Sequence, residues 1–164
     1  MKEVNIYTDG ACRGNPGPGG YGVVMLYGEH RKELAAGYRK TTNNRMELLA
    51  TIVALEALKA ACKVTLYSDS RYVVESMTKG WVKNWEAKGW VKKQNVDLWK
   101  LLLVAVKKHQ VNFVWVKGHS TNVENNRCDE LAVEAATSAD LAIDEGYEEK
   151  LSQENAQDSL FEGE

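Results

Sequence analysis

The chain has 164 residues, 44% of them hydrophobic and 27% charged, with a net charge of −2. That length suits one domain with a full core. No apolar run approaches the roughly 20 residues of a membrane span, so a membrane partner is not expected. Met1-Lys2-Glu3-Val4 leads straight into a strand with no apolar leader, and Cys12, Cys62 and Cys128 lack C-x-x-C spacing. Both features point to a reduced, cytoplasmic protein rather than a disulfide framework or a zinc site. The charge is unevenly placed. From Ala139 onward, nine acidic residues meet one lysine, a balance of −8, which leaves +6 on the rest of the chain. A mildly basic body of this kind can face a polyanion.

Val4-Asn5-Ile6-Tyr7-Thr8 reads as a first strand ending at Asp9-Gly10. Asp-Gly is a common turn pair, but a carboxylate at a strand end can also face a cleft. Residues 10 to 22 hold six of the 13 glycines and both prolines, and are predicted to form a turn or loop. They are no phosphate loop, because Gly-Lys-Ser/Thr is absent and a second strand, Tyr21–Tyr27, follows. A third strand from Glu33 to Tyr38 completes an antiparallel meander.

Asn43 or Asn44 is the predicted cap of a helix running to Leu58, in which Leu48–Leu58 is apolar nearly all round and expected to be buried. Glu47 has the spacing of a capping-box partner for Asn44, which competes with a chemical role. Lys63–Tyr67 is a fourth strand, and Asp69 follows it, either as a helix cap or as a second strand-end carboxylate. The strand, helix, strand order implies a right-handed crossover and a parallel pairing.

Residues 79 to 93 carry five lysines and three of the five tryptophans. They read either as a basic, aromatic surface for a nucleic-acid backbone or as a helical hairpin whose tryptophans form a satellite cluster. A helix over Val96–Lys108 and a fifth strand over Val111–Val116 precede Lys117-Gly118-His119-Ser120. The last predicted helix starts near Glu124-Asn125-Asn126, and in its first or second turn Asp129 is favoured by the helix dipole whatever its role. Beyond Ser138 the composition predicts a disordered acidic tail.

The expected fold is therefore α/β: a five-stranded mixed sheet, strands 1–3 antiparallel and strands 4 and 5 parallel to strand 1, with helices packed on it. One folded domain would span 1–138, including the Trp- and Lys-rich basic segment at about 79–93, and the tail 139–164. In such a sheet Asp9 and Asp69 end side by side, with Glu47 and Asp129 at helix starts nearby. So much negative charge is costly without cations, and oxygen donors favour Mg²⁺, with Mn²⁺ as a substitute. A pair of such ions about 3.5–4 Å apart suits phosphodiester cleavage.

The ordered segments Tyr7-Thr8-Asp9-Gly10-Ala11, Asn44-Arg45-Met46-Glu47-Leu48, Tyr67-Ser68-Asp69-Ser70, Gly118-His119 and Asn126-Arg127-Cys128-Asp129-Glu130-Leu131-Ala132 resemble bacterial-type ribonuclease H, type 1. The likeness covers about residues 3 to 137 and implies an RNase H-like fold. It implies an enzyme that cuts the RNA strand of RNA–DNA hybrids endonucleolytically, leaving 3′-hydroxyl and 5′-phosphate ends. It implies that Asp9, Glu47, Asp69 and Asp129 hold two Mg²⁺ ions with substrate, and that His119 moves protons or aids product release.

The same resemblance implies that Cys12, Asn15, Asn43, Asn44 and Arg71 contact the hybrid's groove. Thr42 would seat a DNA phosphate, while Trp81 and Trp99 pack on the DNA strand. The basic segment is shorter after Trp90 than in the common bacterial form, Glu86 stands where a basic residue is frequent, and Ser120-Thr121-Asn122-Val123 departs from the usual loop. The expected setting is a cytoplasmic monomer that removes RNA primers or hybrids in replication and repair. Gln157-Asp158-Ser159-Leu160-Phe161 is similar to the motif by which bacterial proteins hold the sliding clamp, with Gln157, Leu160 and Phe161 as contacts. Two other readings fit the same residues: a silent hybrid-binding module, and another nuclease of the superfamily. Intact carboxylates argue against the first, and the Trp-rich segment and Asn-Arg-Met-Glu argue against the second.

Overall fold

The computed structural model describes residues 1–119 and 121–162, with side chains described as far as Asp158. The chain order is β1 (Lys2–Cys12), β2 (Gly17–Tyr27), β3 (His30–Thr41), α1 (Asn43–Glu56), β4 (Cys62–Ser68), α2 (Arg71–Thr78), α3 (Trp81–Ala87), α4 (Val96–Lys107), β5 (Gln110–Trp115), α5 (Val123–Ala136), β6 (Leu141–Ala142) and α6 (Glu145–Glu162). The sheet order is β5-β4-β1-β2-β3-β6. β1, β2 and β3 are antiparallel, and β4 pairs parallel with both β1 and β5. This is the α/β, RNase H-like arrangement the sequence implies, with a sixth strand added.

β6 pairs only Leu141 and Ala142 with Gly37 and Tyr38, so it is too short to show a period in sequence. The acidic segment is likewise not the structureless tail its composition suggests, since it supplies β6 and the 18-residue α6. Asp144, just ahead of α6, provides the anchor. Its carboxylate accepts from the Thr41 hydroxyl (2.7 Å) and from Arg45 Nε and Nη2 (2.8 and 2.9 Å), and Arg45 also pairs with Asp97. Composition averages hide a buried ion pair of this kind.

Glycines expected to turn the chain instead sit in extended strands. β1 continues through Gly10 to Cys12, and β2 already begins at Gly17. The reason is helix packing. A Cβ on Gly22 would stand 2.2 Å from the Cys128 carbonyl oxygen, and one on Gly20 2.5 Å from that of Ala132. Side chains there would lift α5 off the sheet.

α1 is buried on most sides, as its apolar run predicts, and with Ile6, Val64 and Leu66 of the central strands it forms the core. Its cap is Thr42 rather than an asparagine: the Thr42 hydroxyl accepts from the Arg45 amide at 3.3 Å. Ser70, not Asp69, caps α2. Both acids are thereby released from a capping role.

Among the described residues no helix is long and apolar enough to cross a membrane.

Candidate active site

Three elements bring three carboxylates together. Asp9 lies near the carboxyl end of β1, opposite Gly22 of β2. Parallel pairing of β1 with β4 runs up to Thr8↔Ser68, so Asp69 leaves the sheet beside Asp9. α1 crosses the same strands so closely that a Cβ on Gly10 would stand 2.6 Å from the Glu47 nitrogen, and Glu47 meets Asp9 from above. One carboxylate oxygen from each of Asp9, Glu47 and Asp69 lies within 4.8 Å of the others.

The electrostatics of this group are unfavourable as it stands. Asp9 and Glu47 are both buried. Burial, then the Asp69 charge, pushes the Asp9 carboxyl up to about 8. Burial, then Asp9, raises Glu47 well above the usual carboxylate range. Glu47 Oε2 is buried and finds no hydrogen-bond partner in the protein. Buried, mutually repelling oxygens with an orphaned acceptor are the donor set of a hard divalent cation, and thiol or imidazole ligands are not part of the group.

Asp129 does not join the others within 4.8 Å. It stands in the second turn of α5, half-buried, one residue beyond Cys128. The Cys128 thiol donates to the Tyr7 carbonyl at 3.2 Å, which fixes that turn two residues from Asp9 along β1. A bidentate contact from Arg127 Nε and Nη2 to Glu33 (3.0 and 3.1 Å) ties the same turn to β3. His119 is exposed, with φ of 54°, directly after Gly118. Gly118 is packed so tightly on Asp69 that a Cβ would stand 2.6 Å from its Oδ2, so His119 belongs to the rim of the site.

The residues expected to meet substrate divide into groups. Asn15, Thr42 and Asn44 line one cleft, shared with Asn95 and with Tyr147 and Lys150 of α6. Asn15 Oδ1 accepts from the Asn43 amide at 3.2 Å, joining the β1–β2 connection to the start of α1. The half-buried Cys12 thiol lies 3.3 Å from the Gly17 carbonyl and 3.4 Å from that of Thr41, and burial raises its pKa. Arg71 and Trp81 are exposed.

Trp99 is a correction: it is 0% exposed, in the core, with its indole N–H donated to the Tyr72 hydroxyl at 3.0 Å. It cannot lie on a nucleic-acid strand. It supports Trp85, whose ring stands 5.8 Å away, beneath the basic segment. That segment thus combines both sequence readings, because Trp85 and Trp90 pack on the core while Trp81 and the lysines face outward. Of the clamp-like motif, Gln157 is exposed on α6, and the Leu160 and Phe161 side chains lie outside the described residues.

Sequence reasoning missed two contributors. Arg45 stands in the Asn44–Leu48 segment of the resemblance but carries no role from sequence; buried two residues from Glu47, it pairs with Asp97 and Asp144. Trp115 was also missed. Its indole N–H donates to the Asp69 carbonyl at 3.1 Å, and the Arg71 guanidinium lies 4.6 Å over its ring. Nothing in the local sequence signals it.

The RNase H family profile matches residues 1–137. The chain is 63% identical over 152 residues to a Ribonuclease H of Syntrophus aciditrophicus, covering 90% of this chain and 88% of that one. It is 60% identical over 149 residues to a Ribonuclease H of Desulforamulus reducens, covering 88% and 94% respectively. Among solved structures it is similar to LC9-RNase H1, a type 1 RNase H with the type 2 active-site motif (TM-score 0.76, 35% identity, 91% of this chain and 80% of that one). It is also similar to LC11-RNase H1, solved in complex with an RNA/DNA hybrid (TM-score 0.62, 30% identity, 81% and 96%). The chain therefore belongs to the ribonuclease H family, type 1, and is a ribonuclease.

Proposed function

We propose that the protein hydrolyses the RNA strand of RNA–DNA hybrids endonucleolytically, using two Mg²⁺ ions and leaving 3′-hydroxyl and 5′-phosphate ends. The observation that carries this is the convergence of Asp9, Glu47 and Asp69 oxygens within 4.8 Å around an unsatisfied buried acceptor. Asp9 would hold the cations together with Glu47 and Asp69, whose carboxylate oxygens lie within 4.8 Å of its own. Asp129, half-buried in the second turn of α5, would be the fourth carboxylate to hold the cations. Bound divalent cations supply an activated water and neutralise charge on the leaving oxygen. Mn²⁺ fits the same oxygen donors.

The chain's own groups do the rest. His119, exposed on the rim beside Asp69, assists proton movement or product release. Asn15, Asn43 and Asn44 contact the hybrid's groove and Thr42 seats a DNA phosphate; Asn15, Thr42 and Asn44 line one cleft, and the Asn43 amide donates to Asn15 Oδ1. Cys12 and Arg71 meet the groove where 2′-hydroxyls distinguish RNA from DNA. Trp81 and the exposed lysines of 79–93 take the flanking backbone. The protein works as a cytoplasmic monomer on primers or hybrids arising in replication and repair.

The test is end-group analysis of products from a long labelled hybrid in Mg²⁺. Internal cuts with extendable 3′-hydroxyls are expected, and 3′-phosphate ends would contradict the mechanism.

A further inference from the structure

Asp69 is the first residue beyond β4, one step past the final β4–β5 pair, Ser68↔Trp115. The Trp115 indole N–H extends that hold by one residue, donating to the Asp69 carbonyl at 3.1 Å. The opposite demand falls on the same ring. The Arg71 guanidinium lies 4.6 Å over its centroid, while the nearest carboxylate partner of Arg71, Glu75, is 3.9 Å away. Trp115 is 40% exposed and the Arg71 side chain 68%, so the pair is open to a ligand. An exposed tryptophan on a strand end, bonded to the backbone of a metal-binding carboxylate and stacked under a substrate-contacting arginine, serves two parts of the site at once.

We infer that Trp115 is a positioning residue that fixes Asp69 through its N–H and presents Arg71 to the hybrid through its ring face. The inference rests on the proposed contact of Arg71 with substrate. A guanidinium parked on an indole loses fewer rotamers on meeting the groove than a free one. The ring and the N–H act separately, so two substitutions separate them. Trp115→Phe keeps a face for Arg71 and removes the donor to Asp69. Trp115→Leu removes both.

The test combines two measurements on the full chain. Hybrid affinity is read by fluorescence anisotropy in EDTA, where metal-dependent turnover is absent, for Trp115→Leu, Trp115→Phe, Arg71→Ala and the Leu/Ala double variant. Trp115→Leu and Arg71→Ala are each expected to weaken binding about two- to fivefold, the scale of one exposed cation–π contact. The double variant should be no weaker than Arg71→Ala alone, and Trp115→Phe should bind like the parent. Effects that multiply in the double variant would show that Trp115 does not act through Arg71 and overturn the inference. If Arg71→Ala binds like the parent, the Arg71 contact itself fails, a result separate from the Trp115 outcome.

The second measurement is calorimetric Mg²⁺ binding without substrate. Trp115→Phe should weaken it about two- to tenfold, the range for one hydrogen bond, at an unchanged Tm. Unchanged Mg²⁺ affinity would remove Trp115 from the support of Asp69. A fall in Tm with no change in either affinity would make it a structural residue only.

Discussion

Gly10 and Glu47 are in backbone contact: a Cβ on Gly10 would stand 2.6 Å from the Glu47 nitrogen and 2.8 Å from the Met46 carbonyl carbon. The residue after one ligand-type carboxylate thus sets how near the helix bearing another can come. Gly10→Ala is expected to push α1 outward, cost about 1–3 kcal/mol of stability as an overpacked core site does, and separate Glu47 from Asp9. Thermal unfolding and calorimetric Mg²⁺ titration check this. A variant with parental Tm and Mg²⁺ affinity would show that α1 yields without moving Glu47.

The pH dependence of cation binding follows from the raised carboxyls. Asp9 in the folded protein is pushed up to about 8, above its ordinary value of 3.8. A group raised in this way favours the fold while protonated, and its contribution is lost as pH climbs through the folded value. The cation-free protein should therefore lose stability from about pH 4 towards pH 8 at this site. A divalent cation must displace the same protons, so its affinity rises over the same range. Scanning calorimetry should show a larger Mg²⁺-induced rise in Tm at pH 8 than at pH 6. Equal increments would mean that Asp9 and Glu47 are already ionised without metal.

The position of the site was largely legible in sequence, because strand-end carboxylates obey simple topology. Asp9 and Asp69 are neighbours once β1 and β4 are parallel, and the register Thr8↔Ser68 bears this out. Glu47 was legible as a candidate but ambiguous with a capping box, and only the Thr42 cap removes that ambiguity. Trp99 shows the limit from the other side. A tryptophan in a helix reads equally as core or as a stacking platform, and only its burial and its bond to Tyr72 decide. The ordered acidic segment was illegible because its anchor depends on Arg45, some hundred residues earlier in the chain, a pairing with no local period.

That anchor yields a stability prediction. Asp144→Ala leaves the buried Arg45 guanidinium with one carboxylate partner among the described residues, Asp97, which is itself half-open to solvent, and a 3.4 Å hydrogen bond to Asn95 Oδ1. Breaking a buried pair from one side costs about 3–5 kcal/mol. Denaturant unfolding should show a loss on that scale, while removal of the exposed Glu148–Arg39 pair should change stability far less. A loss no larger for Asp144→Ala than for Glu148→Ala would mean that α6 is not held through Asp144.

The lysines of the basic segment make a salt-dependence prediction. Lys83, Lys88 and Lys92 are exposed and make no ion pair among the described residues. Each that reaches a phosphate releases about one counterion, so replacing it by Ala should lower the slope of log affinity against log salt by about 0.7–0.9. Hybrid affinity measured across a salt series reads this directly. An unchanged slope in the triple variant would place the nucleic acid elsewhere.

The carboxylates Asp9, Glu47, Asp69 and Asp129 are expected to make the protein a metal-dependent, strand-selective nuclease. The most direct measurement is cleavage of an RNA–DNA hybrid labelled on each strand in turn, with and without Mg²⁺, beside single-stranded RNA and both homoduplexes. The expected result is Mg²⁺-dependent cutting of the hybrid's RNA alone, nearly abolished in Asp9→Asn with hybrid binding retained. Equal degradation of single-stranded RNA, or full activity in Asp9→Asn, would contradict the account.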